Sequence, residues 1–377
     1  MATTIKDIAN RLGVSISTVS KGLNGASDIS EDLRQFVLDT AIEMGYQTKK
    51  MKKAENKKLA LCIENMNYDK QESFGYDLVL GFRQVALRDD WDVTILPVTP
   101  EFQSRNKYDS YLLKNGYSGA FLVGFALQDS WMGQLAYCKV PTVLLDNFID
   151  RNIYVGSVET DNAEGIDIAV EHLIRLGHTQ IAFFNGSPNS MITAKRYDAF
   201  ISSMESRHIP INPDLVTFGH YVKDSAKYHV PKLLSSGATA IVCSSDSIAE
   251  GVIEECTKRG VRIPEDVSVI GFDDLPFAAK LTPPLTTIRQ DRLDLGKGAY
   301  HVLSNLINHV SISRTVMRAH LIERKSTAPV KNHADGTLRR RIPVCTFPLL
   351  WLWAETNEFF CDPLIDRKLH AVLLRHT

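Results

Sequence analysis

Residues 4–45 repeat a helical pattern of apolar and polar positions three times. Ile5, Ile8, Ala9 and Leu12 fall at the i, i+3, i+4, i+7 spacing of one helical face. Thr4 and Asp7 stand three apart, the spacing of a capping box. This predicts a short amphipathic helix that stops at Gly13-Val14. Ser15 or Ser17 can cap a second helix, which buries Val19 and Leu23 and ends at Asn24-Gly25. A third starts after Ser30, carries Glu31 and Asp32 where the positive helix end favours them, and buries Leu33, Val37, Ala41 and Met44 before Gly45. Two helices at a tight turn, braced by a third, make a helix-turn-helix, whose second helix presents its N-terminal side chains to a DNA major groove. The outward residues Ile16, Ser17, Thr18, Ser20 and Lys21 are mostly small, hydroxylic or basic, as a face that approaches bases and phosphates requires. A three-helix protein-interaction module is the bland alternative.

From Leu59 onward the period changes. Short β-rich runs (59–63, 93–98, 120–123, 142–145, 181–184, 240–243 and 267–271) alternate with helical patterns over 77–88, 163–176, 194–206 and 247–259. Such alternation predicts an α/β architecture of parallel sheets covered by helices, here in two domains. Ligands of open parallel sheets bind outside the carboxyl ends of the strands. The loops expected there are polar: Asp146-Asn147, Asn185 to Asn189, Ser244 to Asp246, and Phe272 to Asp274.

The chain has 377 residues, 44% of them apolar and 23% charged, so it can bury several cores. Its net charge of −1 hides an asymmetry: between Gln47 and Lys58 stand Lys49, Lys50, Lys52, Lys53, Lys57 and Lys58 against Glu55 alone. The remainder is net acidic. No apolar run approaches the roughly 18 residues of a membrane-spanning helix, and the first residues lack the pattern of a secretory signal, so a cytoplasmic location is expected. The six cysteines are scattered, without a CxxC pair, and read as reduced packing residues. Asp246, Asp273, Asp274 and several histidines could be assembled into acid–base catalysis on a sugar. However, the sequence contains neither a GxSxG elbow nor a phosphate-binding GxxxxGK[ST] loop, and His172 and His178 lack metal-ligand spacing. No enzyme activity, metal or cofactor is expected.

The wording of several segments carries a resemblance. Thr4 to Ala9, Leu12 to Ser15 and Ser17 to Asn24 resemble the opening signature of LacI/GalR-type bacterial transcriptional regulators. Asp161 to Gly165, His172 to His178, Pro264 to Asp274 and Pro284 to Gln290 are similar to later landmarks of that family, over about residues 2–330. The resemblance implies a helix-turn-helix domain over 1–47, a lysine-rich hinge over 48–58, and a two-subdomain periplasmic-binding-protein-like (type I) effector domain over 59–330. In that plan the chain crosses between subdomains three times, placing about 59–160 with 290–318, and 161–289 with 319–330. Residues 331–377 form an atypical tail; Ile365, Leu369, Val372 and Leu373 fit a helical face that could add an oligomerisation helix, the alternative being an appended extension.

Carried over residue by residue, the DNA-binding set is Thr4, Ser15, Ile16, Ser17, Thr18, Ser20, Lys21, Asn24, Lys49, Lys50 and Met51. The effector-binding set is Phe74, Asp146, Arg196, Tyr221, Ser245, Asp273 and Gln290. Carboxylates and a guanidinium each take two hydroxyl hydrogen bonds, and aromatic faces suit a sugar ring. The family often has Asn at position 245 and a second aromatic where Gly75 stands, so the pocket departs from the common pattern. The family's hinge leucine is also missing, leaving Met51 as a substitute wedge or the lysines as a phosphate-contacting tether. The implied protein is a dimeric regulator of a pseudo-palindromic operator on double-stranded DNA, a repressor of carbohydrate-utilisation genes controlled by a small ligand, expected to be a sugar. A sugar-binding transport protein, or a regulator with a purine or other non-sugar effector, is the alternative.

Overall fold

The computed structural model describes residues 3–24, 26, 28–46 and 57–331. Three helices open the chain: α1 (Ile5–Leu12), α2 (Ile16–Asn24) and α3 (Glu31–Glu43). Each begins at a side chain that satisfies an orphan N–H of the first turn. The Thr4 hydroxyl accepts from the Asp7 N–H, and the Asp7 carboxylate accepts from the Thr4 N–H at 2.8 Å, closing a capping box. Ser15 caps α2, taking the Thr18 N–H at 3.0 Å, and Ser30 caps α3. Ile8, Ala9, Val19, Leu23, Val37 and Ala41 form the core of this head, while Leu33 and Met44 are only partly buried against it. Gly22 lets α2 lie directly on α3, since a Cβ there would stand 2.9 Å from the Val37 side chain.

The first lobe contains β1 (Lys58–Ile63), α4 (Phe74–Arg88), β2 (Asp92–Pro97), α5 (Pro100–Arg105), α6 (Tyr108–Lys114), β3 (Gly119–Val123), α7 (Ser130–Gln134), β4 (Thr142–Leu145) and β5 (Val155–Thr160). The second contains α8 (Asn162–Arg175), β6 (Ile181–Asn185), α9 (Met191–Ser206), β7 (Val216–Phe218), α10 (Ala226–Ser235), β8 (Ala240–Cys243), α11 (Asp246–Lys258), β9 (Ser268–Asp273) and β10 (Thr286–Arg289). The chain then returns through α12 (Arg292–Ile307) and β11 (Arg314–Met317) to the first lobe, and through β12 (His320–Ile322) to the second. The sheets run β11-β5-β4-β3-β1-β2 and β12-β10-β9-β8-β6-β7. All neighbours are parallel except β12, which pairs antiparallel with β10 at the edge.

Helices cover both faces of each sheet, so the strands are apolar on both sides. On β1, Leu59, Leu61 and Ile63 face one core and Ala60 and Cys62 the other. On β8, Ile241 and Cys243 alternate with Ala240 and Val242 in the same way. The head rests on the first lobe. The Lys139 ammonium donates to the Ile42 and Glu43 carbonyls at 3.3 and 3.2 Å, capping the end of α3 from outside, and the buried Asp39 accepts from the Ser110 hydroxyl. Among the described residues, no helix is long and apolar enough to cross a membrane.

Candidate functional site

The carboxyl ends of the two sheets meet at the crossovers, and charged groups from both lobes gather there. From the first lobe comes Asp146, just past β4, with a left-handed backbone (φ 61°) that turns its side chain out of the strand direction. From the second come Arg196 on α9 and Asp273 at the end of β9. Arg196 is buried and fixed on three sides. Its Nε donates to Asn162 Oδ1 at 2.7 Å, Nη1 donates to the Ser244 carbonyl, and the guanidinium lies 3.8 Å over the Phe272 ring. Asp273 has φ 120° and accepts at Oδ1 from Gln290 Nε2 at 2.7 Å. Tyr221 shares a 2.9 Å hydrogen bond with the Thr193 hydroxyl and lies within the field of Arg196, Asp273 and Asp146.

Burial pushes the Asp146 carboxyl up to about 7; Arg196 and Lys195 pull it back down, while Glu159 and Asp273 push it further up. Burial raises Asp273 to about 6, against Arg196, its bond from Gln290, and Arg292. Among the described residues, Asp146 Oδ1, Ser244 Oγ and Gln290 Oε1 are buried without a hydrogen-bond partner. Such groups cost free energy unless something pairs with them. The cluster presents both donors and acceptors with nearly balanced charge, the chemistry that receives a polyhydroxylated neutral molecule.

Of the expected effector residues, the structure gathers Asp146, Arg196, Tyr221, Asp273 and Gln290. The other two carry a local structural role. The Ser245 hydroxyl caps α11, accepting from the Ile248 N–H at 3.1 Å, and Phe74, the first residue of α4, packs against the first-lobe core. Glu159 and Lys195 were not foreseen, and Ser244 was foreseen only as part of a polar strand-end loop. Lys195 pairs with Glu159 across the crossover and stands 5.6 Å from the Phe148 ring. A cavity of about 720 Å³ shares Glu159 and Lys195 with the cluster but runs along α8 and α9, past Asp198 and Ser202, away from Asp273.

Three of the groups considered for hydrolysis, Asp246, His172 and His178, make structural hydrogen bonds. Asp246 is buried and locks the loop after β9, accepting from the Leu275 N–H at 2.7 Å and the Thr287 hydroxyl at 2.5 Å. His178 bonds the Thr239 hydroxyl and the Ala328 carbonyl, and His172 the Thr327 hydroxyl, tying 327–328 onto the second lobe; burial lowers both histidine pKa values. No cluster of three metal-ligating side chains occurs among the described residues.

On the head, the expected DNA-binding residues divide in two. Thr4, Ser15, Thr18 and Asn24 direct polar atoms into local structure: Thr4 and Ser15 are caps, Thr18 shares a hydrogen bond with Ser15, and the Asn24 amide returns to the Ser20 carbonyl at 2.9 Å. Ile16, 52% exposed, together with Ser17 and Lys21, remains exposed on α2, and Ser20 is half-buried. Lys21 pairs with Asp28 across an exposed turn, a bond a phosphate or base can replace at little cost. Lys49, Lys50 and Met51 lie outside the described residues.

Residues 4–49 match the family described as bacterial regulatory proteins, lacI family, and residues 170–327 match the periplasmic binding protein-like domain. Over 76% of its length the chain is 29% identical to the probable HTH-type transcriptional repressor ExuR of Bacillus subtilis (strain 168), covering 86% of that protein. Among solved structures it is similar to the complex of the transcriptional regulator CelR with cellobiose, at 25% identity and a TM-score of 0.66, over 86% of this chain and 99% of that one. It is likewise similar to the lac repressor dimer bound to operator and the anti-inducer ONPF, at 25% identity and a TM-score of 0.62, over 87% of this chain and all of the other. With a lacI-type head followed by a periplasmic-binding-protein-like domain, and these relatives along nearly its whole described length, the chain belongs to the LacI family of bacterial transcriptional regulators.

Proposed function

We propose that this protein binds a pseudo-palindromic operator as a homodimer, and that a sugar held between its lobes controls that binding in the repression of carbohydrate-utilisation genes. The observation that carries the reading is the set of buried, unpartnered oxygens of Asp146, Ser244 and Gln290 around the fixed guanidinium of Arg196. Hydroxyls of a neutral polyol supply what those atoms lack, accepting from the guanidinium and donating to the carboxylates. Asp146 belongs to the first lobe and Arg196 and Asp273 to the second, so a ligand touching all three favours one lobe spacing over another. The cellobiose bound by CelR and the operator bound by the lac repressor dimer support extending both halves of the reading to this chain.

A thermal-shift screen of neutral sugars, acidic sugars and purines tests it. At 100 times its dissociation constant a ligand stabilises the folded state by about 2.7 kcal/mol, a shift of several degrees. A neutral sugar is expected to give that shift and to change operator affinity. A shift with purines alone would replace the sugar, and a sugar shift that leaves operator affinity unchanged would remove the regulatory coupling.

A further inference from the structure

A second set of contacts crosses between the lobes next to this cluster, and it centres on a residue that the effector reading does not use. Arg292 opens α12, immediately after the second crossover, and its side chain is buried. Its Nη2 donates to Asp77 on α4 at 2.9 Å, within the first lobe. Its Nη1 donates to the backbone carbonyls of Asp273 and Asp274 at 3.1 and 3.3 Å, in the second. Those two residues form a turn with φ 120° and 54°. Consecutive left-handed conformations in residues other than glycine persist only where the surroundings hold them. The turn also carries the cleft carboxylate of Asp273.

The first-lobe side of the contact is rigid. Helices α4 and α12 touch backbone to backbone: a Cβ on Gly81 would lie 2.0 Å from the Leu293 carbonyl oxygen, and one on Gly296 would lie 2.1 Å from that of Leu78. Two helices packed this closely move as one body. A displacement of the Asp273-Asp274 turn can therefore reach the whole α4–α12 pair through one guanidinium.

We propose that Arg292 is a positioning residue that sets the spacing of the two lobes, registering the Asp273-Asp274 turn of the second lobe on the α4–α12 pair of the first. It rests on the ligand-responsive reading only for its consequence, that occupancy at Asp273 is conveyed to the first lobe; the contact itself is independent of that reading. An arginine is needed there because one planar group must serve a carboxylate on one side and two carbonyls on the other, which a single ammonium cannot span.

The test uses no effector, so an unsuccessful sugar screen leaves it intact. Nitroxides are placed at Tyr137 of the first lobe and Arg175 of the second, both strongly exposed, with Cys345→Ser and Cys361→Ser; Cys62, Cys138, Cys243 and Cys256 are buried. Labelled chains are diluted into unlabelled ones, and the interlobe distance distribution is read by double electron–electron resonance. Arg292→Met is expected to shift and broaden the distribution, Arg292→Lys to give an intermediate one, and Asp77→Asn to shift it in the same direction as Arg292→Met. Should Arg292→Met fail to fold, Asp77→Leu cuts the first-lobe half of the contact and leaves the turn's carbonyls paired. An unchanged distribution in the folded Arg292→Met and Asp77→Leu variants, with or without a lower melting temperature, overturns the proposal by reducing Arg292 to a structural ion pair.

Discussion

Replacing Asp146 by Asn should make the free protein more stable and less responsive. The carboxyl is pushed from an ordinary 3.8 up to about 7, mainly by burial. A pKa raised on folding means that the folded state holds more protons than the unfolded chain between about pH 4 and 7, so this group's contribution to stability falls as pH rises through that window. Three units at about 1.36 kcal/mol each set a ceiling near 4 kcal/mol on the penalty at pH 8. Partial exposure of the residue, which lets water screen the charge, reduces it to about 1–2 kcal/mol. The amide keeps the shape, and Asn tolerates the φ of 61° as well as Asp does, so backbone strain does not enter the comparison. Asp146→Asn should raise the melting temperature at pH 8 by roughly 2–4 °C per kcal/mol, and the gain should shrink steadily as pH falls from about 7, vanishing only near pH 4, where the unfolded chain's carboxyl is protonated as well. The same variant should lose the effector response, because an amide offers one acceptor where the carboxylate offers two. Differential scanning fluorimetry from pH 5 to 8, with calorimetric titration of whichever sugar the screen yields, makes both measurements. A variant less stable at pH 8, or a gain of equal size at both ends of the range, would show Asp146 to be a structural anchor and refute the reasoning.

Two further expectations concern the head. Gly22→Ala sets a methyl 2.9 Å from Val37, and overpacking of about 1–3 kcal/mol exceeds the roughly 1 kcal/mol gained in helix propensity; operator affinity should fall and hydrogen exchange in α2 and α3 accelerate, while the lobes melt as before. Lys21→Ala should cost about 1–3 kcal/mol on an operator selected from random duplexes and little on a scrambled one, as measured by fluorescence anisotropy; equal losses on both would make Lys21 a phosphate contact.

How much of this molecule was legible in the sequence depends on how far apart the interacting groups stand. Caps are local: Thr4 with Asp7, and Ser30 with Leu33, interact three residues apart, and the head was readable almost to the residue. The alternation of short β-rich runs with helical patterns indicated the two lobes, and the polar loops at strand ends drew attention to Asp146 and Asp273. Strand β11 gave no such signal, because alternate residues on that edge are exposed. The antiparallel β12 pairs 287–289 with 320–322, a separation that periodicity does not report.

Within the site, the same distance rule decides which roles a sequence leaves open. Ser245 as a ligand contact and Ser245 as the cap of α11 look identical in a sequence, since a serine before a helix serves either purpose; the bond to Ile248 establishes the cap. Phe74 is equally ambiguous, an aromatic that can face a ligand or a core. The pairs that tie the lobes together were invisible, with Glu159 and Lys195 separated by 36 positions and Asp77 and Arg292 by 215. What a motif transmits is therefore the part of the site built on one strand end, such as Asp273 at the end of β9. The coupling between lobes resides in contacts that no local pattern encodes, and two regulators with the same motifs can differ in it through a single residue such as Arg292.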